Sequence, residues 1–151
     1  MRSAFRVTAQ LIALGVVLQA AFVALGWFII LNDVDGGQVV DKAYLEDGDG
    51  WNIGHMLHGV LGLMIMPVLG LLLLIFSFFA KIPGGMKWAG LTLLAIVVQV
   101  ALALIGFGLP ALGALHGINA FIVLGLASMA IRSARADLVV ATSTRHEAAA
   151  V

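Results

Sequence analysis

Residues 53–80 read IGHMLHGVLGLMIMPVLGLLLLIFSFFA, from Ile53 to Ala80, with no acidic residue and no lysine or arginine. A run of about 20 apolar residues is enough for an α-helix to cross a hydrocarbon layer about 30 Å thick. Lipid offers the backbone no hydrogen-bonding partner, so such a run must pair its own N–H and C=O groups and become a helix. At 28 residues it exceeds the minimum, which predicts that it tilts or projects beyond the bilayer. Working outward, residues 7–31, 88–109 and 112–131 have the same character. The expected fold class is therefore an all-α integral membrane protein, a bundle of four transmembrane helices.

Composition agrees. Hydrophobic residues make up 62% and charged residues 11% of 151 positions, with a mean hydropathy of +1.12, whereas soluble domains carry about a quarter charged residues. One domain, residues 1–135, accounts for the spans, with a long connection at 32–52 and a tail at 136–151 expected to be disordered. There is no cysteine, which excludes disulfides, thiolate metal sites and thiol nucleophiles. Arg2 and Arg6 precede the first span as in a signal peptide. Its apolar run, however, is longer than the roughly 7–15 residues of such a peptide, and it ends without a small-x-small cleavage pattern, so it reads as an uncleaved helix.

Charge sets the orientation. Arg2, Arg6, Lys81, Lys87, Arg132, Arg135 and Arg145 fall on one side of a four-span arrangement; only Lys42, of eight basic residues, falls opposite. Cytoplasmic loops carry the Lys/Arg excess, which predicts cytoplasmic N and C termini in the plasma (inner) membrane of a bacterium. The 32–52 loop then faces outward and holds Asp33, Asp35, Asp41, Glu46, Asp47 and Asp49, six of the eight acidic residues.

The sequence also repeats. Gln19, Ala21, Gly26 and Trp27 in the first span match Gln99, Ala101, Gly106 and Phe107 in the third, 80 positions on. His58-Gly59 in the second span matches His116-Gly117 in the fourth, 58 positions on. Two helical hairpins of the same orientation, related by an axis along the membrane normal, form a parallel repeat. Such a repeat places His58 and His116 at equal depth near the outer face, one in each hairpin. An ionisable group at membrane depth is expensive and tends to face the bundle interior. Two opposed neutral imidazoles are what haem iron takes as axial ligands. The candidate ligands of one haem b are therefore His58 and His116. Gly59, Gly62 and Gly117 are expected to let a flat macrocycle approach the backbone, while His55, Asn119, Trp51 and Asn52 are expected near the propionates. Two other readings stay open. One is a bare metal site that adds His55, three residues from His58 and on the same helix face. The other is a cofactor-free accessory or structural subunit of a larger membrane complex.

The order Gln-x-x-Leu-x-x-x-Gly late in an odd-numbered span, followed by His58-Gly59-Val60-Leu61-Gly62 and His116-Gly117-Ile118-Asn119-Ala120 opening the even-numbered ones, resembles one four-helix half of the haem A synthase family over about residues 5–135. The chain is also similar to small four-helix actinobacterial membrane proteins of unknown function. The resemblance implies a haem-binding bundle with a histidine pair at the outer ends of its second and fourth helices. It does not imply that family's oxidation of a haem methyl group, because only one half is present. The outer loop lacks the cysteine pair many members use, and Glu46 is the only candidate for the loop glutamate important there.

The remaining features support less. Asp47-Gly48-Asp49-Gly50 falls short of the spacing of a calcium-binding EF-hand and reads as a solvated loop. Gln19 and Gln99 read as hydrogen-bonding partners across helix interfaces. Pro67 is expected to kink the second span below His58. Neither a Ser/His/Asp set, nor a phosphate loop, nor an intramembrane carboxylate is present, so independent catalysis is not expected. The expected function is a small membrane b-type cytochrome, for electron transfer or haem handling. Its expected partners are the lipid bilayer and a quinone or a larger membrane complex, not nucleic acid.

Overall fold

Many of the large apolar side chains of the long helices point outward: Phe28, Phe79, Phe107 and Phe121 are all well exposed, and only about a fifth of each span is buried inside the protein. A surface of that kind is stable only against lipid. The computed structural model describes residues 1–46 and 51–149, with side chains described for 1–44 and 51–135. Its elements are α1 (Arg2–Asp35), a short α2 in the loop (Lys42–Glu46), α3 (Ile53–Val60), a π-helical turn (Leu61–Ile65), α4 (Met66–Ala80), α5 (Gly85–Gly106) and α6 (Pro110–Ala149). No strand occurs among the described residues. Arg2–Asp35, Ile53–Ala80, Gly85–Gly106 and Pro110–Arg135 are each long and apolar enough to cross a membrane. The protein is thus a four-helix membrane bundle.

The second span occupies the expected 53–80 and α5 ends three residues before the expected 109, while α1 and α6 overrun their apolar runs. At 34 residues, α1 reaches about 50 Å at 1.5 Å per residue, well beyond the hydrocarbon layer. Helix α6 carries its helical backbone to Ala149, where the sequence predicts a disordered tail. That tail lacks Gly and Pro and has three consecutive alanines at 148–150, which favour helix intrinsically.

Local chemistry fixes the connections. The Asn52 side chain caps α3, accepting from the backbone N–H groups of Gly54 (3.1 Å) and His55 (3.3 Å), while its amide donates to the Gly26 carbonyl on α1 at 2.9 Å. One side chain therefore both starts α3 and pins it to α1. At the other end α4 stops at Lys81, which is left-handed at φ 52°, and Gly84 at φ 71° completes the turn into α5. Pro110 opens α6, where its missing N–H is not needed.

Helix α1 packs on α6 and on α3 and α4, and α5 packs on α4 and α6, so α1 and α5 lie on one diagonal of the bundle and α3/α4 and α6 on the other. The buried core is confined to the half of the bundle nearer the N-terminus and the Lys81–Gly84 turn, called here the terminal end. It comprises Phe5, Ala9 and Ile12 of α1, Met66, Leu73 and Ala80 of α4, Ala89, Ala95 and Ile96 of α5, and Val123, Ala127, Ala130 and Ala134 of α6. Towards the other, loop end the described span residues bury only Ile30, Asn119 and glycines.

Where the loop-end helices do meet, they meet through glycine. A Cβ on Gly54 would run into the backbone of Gly26 and the Phe22 carbonyl, so α1 and α3 touch main chain to main chain there. Gly106 stands in the same relation to Gly113 across the α5–α6 turn, with a Cβ meeting its backbone at 3.1 Å. Gly54→Ala is therefore expected to destabilise the bundle by about 1–3 kcal/mol through forced separation of the helices. Gly125→Ala, which enters open space, should be neutral or stabilise by up to about 1 kcal/mol. Denaturant titration of the two variants in one detergent checks the contrast.

Candidate binding site at the histidine pair

Each hairpin ties a histidine to a glutamine of the preceding span. In the first, His58 Nδ1 lies 3.0 Å from the backbone carbonyl of Gln19, and the Gln19 side-chain amide donates to the His58 carbonyl at 3.0 Å. In the second, His116 Nδ1 lies 3.0 Å from the carbonyl of Gln99, and the Gln99 amide nitrogen is 3.2 Å from His116 Nε2. A carbonyl oxygen only accepts, so Nδ1 must carry the proton in both rings. The proton on Nδ1 leaves Nε2 as a lone pair. A hydrogen bond that fixes the tautomer and orientation of an imidazole is how ligating histidines are prepared.

Both rings point inward across the diagonal of the bundle. Their centroids are 6.2 Å apart with the planes inclined at 59°. Two imidazoles sharing one metal through nitrogens about 2.0–2.1 Å from it have centroids roughly 6 Å apart. The structure therefore brings the His58 and His116 rings to a centroid separation that matches a shared ion, with His116 Nε2 engaged by Gln99.

The other expected residues are arranged differently. His55 turns away from the pair into an aromatic cage, edge-on to Trp27 (5.9 Å) and tilted against Trp51 (6.4 Å). It lies over Gly26, where any Cβ would meet its ring at 2.6 Å. No group of three or more His, Cys, Asp or Glu side chains converges among the described residues. Gly59 is covered by the Trp51 ring, which a Cβ there would meet at 3.2 Å, and Gly62 by the Gln19 amide, which a Cβ would meet at 2.7 Å. Neither presents bare backbone; Gly117 does, with nothing within 4 Å of where its Cβ would stand. Asn119 is buried instead of lying at the edge. Its amide donates to the Ala95 carbonyl (2.9 Å) and to Gln99 Oε1 (2.6 Å), locking the Gln99 amide so that its NH₂ faces His116.

The two glutamines are the residues whose role sequence reading understates. They do bond across helix interfaces as expected, but their partners are the candidate ligands themselves. The signal is present in the recurrence of Gln and then His, in the same order, in both hairpins. Pro67 follows the π-helical turn that begins three residues after His58 and is closed by the Met66 N–H on the Leu61 carbonyl. A π-turn is a frequent companion of functional sites, and here it supplies the local distortion expected of Pro67. In the loop, Tyr44 holds two of the acidic residues, donating its hydroxyl to Asp33 Oδ2 at 2.8 Å and its backbone N–H to Asp41 Oδ1 at 3.0 Å. Asp47 and Asp49, and the side chain of Glu46, lie outside the described residues.

No protein-family model matches the chain, and neither does any curated protein or solved structure.

The Asn119–Gln99–His116 chain of hydrogen bonds makes a specific prediction. Asn119→Leu leaves Gln99 Oε1 unpartnered and should destabilise the protein by about 0.6–2 kcal/mol, the range for hydrogen bonds inside membranes. Leu61→Ala, at the matching position of the first hairpin, removes no hydrogen bond. Comparing the unfolding of the two variants separates the polar contribution from the packing one.

Proposed function

We propose that the protein is a small membrane b-type cytochrome in which His58 and His116 hold one haem near the outer face. The single observation that carries this reading is the paired imidazoles, 6.2 Å apart, each with Nδ1 bound to a glutamine carbonyl of its own hairpin. Two further features support it. The bundle has little buried core at the level of the rings, which is where a flat apolar group would supply the missing packing. The glutamine carbonyls would also raise the basicity of the ligating nitrogens. Haem, when bound, supplies a one-electron couple, and the chain's own part is to hold the ligands and exclude water from them. The residues fit the group on one condition: the Gln99 amide must release His116 Nε2.

The matched Gln–His tethers also support the reading of the bundle as two duplicated hairpins in parallel. The positive-inside distribution supports cytoplasmic termini in a bacterial plasma membrane. On that orientation the site lies near the outer leaflet and leaves most of the bilayer uncrossed, so electrons would pass to or from a quinone or a partner protein at that face.

A second reading is favoured by the same Gln99 contact. With His116 Nε2 already satisfied by Gln99, the polar network closes without a ligand, as it would in a cofactor-free subunit of a larger complex. An absorption spectrum decides between them. Protein expressed with haem supplied should show a bis-histidine spectrum when oxidised and reduced, lost in His58→Ala and in His116→Ala and kept in His55→Ala. Folded, colourless protein that takes up no added haem would leave the subunit reading standing.

A further inference from the structure

At the terminal end, away from the histidines, Arg2, Ser3, Arg6 and Ala134 line a partly open cavity of about 160 Å³ between α1 and α6. That is the space of several water molecules at about 30 Å³ each, room enough for a tetrahedral oxyanion. Arg2 is held at its rim: its Nε donates to the Ala80 carbonyl at 3.1 Å, at the C-terminus of α4. Arg6 is different. Its Nε is buried and has no hydrogen-bond partner, although a guanidinium N–H withdrawn from water without an acceptor is costly. Arg6 is half-buried and lines the cavity, so an anion seated there lies against its charge, while the buried Nε itself stays out of that anion's reach.

We propose that this cavity is a binding site for a phosphate oxyanion, with Arg6 as its principal donor and Ser3 and Arg2 at its margins. Guanidinium matches phosphate in charge and in the geometry of its paired donors. The cavity also sits where a basic pocket between transmembrane helices meets the headgroup layer, the position at which anionic lipids are recognised. The same chemistry is offered by the phosphodiester of an anionic phospholipid and by free inorganic phosphate. The proposal is independent of haem binding.

Native mass spectrometry of the full chain in detergent tests it, with phosphatidylglycerol and phosphatidylcholine supplied as probes. One phosphatidylglycerol should be retained in preference to phosphatidylcholine, and Arg6→Gln should reduce that retention about ten-fold, the worth of a charge-assisted hydrogen bond. Lys87→Gln removes one positive charge from the same end without touching the cavity and should leave retention within about two-fold. Arg6→Lys preserves the charge and guards against a misfolded variant; it should bind more weakly than wild type because it lacks the fork. Displacement of the lipid by millimolar inorganic phosphate identifies free phosphate as a sufficient ligand, and its failure to compete identifies the lipid headgroup as the source. Equal retention by wild type and Arg6→Gln, an equal loss in Lys87→Gln, or full retention by Arg6→Lys would overturn the proposal.

Discussion

In hydrocarbon a polar side chain has nowhere to turn but to another part of the protein, and the loop half of this bundle is organised by that constraint. Gln19, His58, Gln99, His116 and Asn119 are the polar residues at that depth. They resolve their hydrogen bonds in pairs within each hairpin: α1 to α3, and α5 to α6. Nδ1 of each imidazole is spent on the neighbouring helix, and the two rings meet across the diagonal, where α3 and α6 do not pack against each other. The tether that joins the helices of a hairpin is thus also what brings the two rings together, inclined at 59°.

The packing divides the molecule in the same way. In the terminal half, small residues such as Ala9, Ala89, Ala127 and Ala130 allow close helix contact around Phe5, Ile12, Leu73 and Val123, and the spans are held by van der Waals contact of the kind that replaces the hydrophobic effect in lipid. Serine and threonine hydroxyls there return to their own helix backbones, as Ser77 does to Leu74 and Thr92 to Trp88. In the loop half, glycine contacts at Gly26–Gly54 and Gly106–Gly113 hold each hairpin together, while little side-chain core joins one hairpin to the other. Rigidity at one end and openness at the other suit a scaffold that presents a site near one membrane face.

Much of this is legible in the sequence for physical reasons. Four charge-free apolar runs leave the backbone no alternative to helix, so the spans can be read directly, and Ile53–Ala80 even to its ends; the ends of α1 and α6 cannot. Helix α1 continues past Leu31 through Asn32 and Asp33 to Asp35 because hydrogen bonding along the backbone persists after hydrophobicity stops. Asn52 before an apolar run marks the start of α3 by its capping chemistry. The pairing of His58 with His116 follows from their matching His-Gly steps in the two hairpins, but the fate of His55 does not. Helical periodicity places it on the face of His58, and only the tertiary position of Trp27 and Trp51 draws it away. Gly59 and Gly62 show the same limit: a glycine in a span signals close approach without revealing whether a backbone, a tryptophan or a glutamine amide does the approaching.

The two halves of the site are alike in their tethers and unlike in what surrounds them. Asn119 stands one turn beyond His116, and the residue one turn beyond His58 is Leu61. In the second hairpin Asn119 donates to Gln99 Oε1, which fixes the amide so that its nitrogen reaches His116 Nε2. In the first, Gln19 Oε1 is buried without a partner, its amide nitrogen is committed to the His58 carbonyl, and no described residue donates to His58 Nε2. His116 is therefore the imidazole whose every polar atom is already answered, and His58 is the one with a lone pair left over. Any ligand arriving between the rings meets an open acceptor at His58 first and must displace the Gln99 amide to engage His116, so pseudo-equivalent positions in the sequence are chemically inequivalent in the fold.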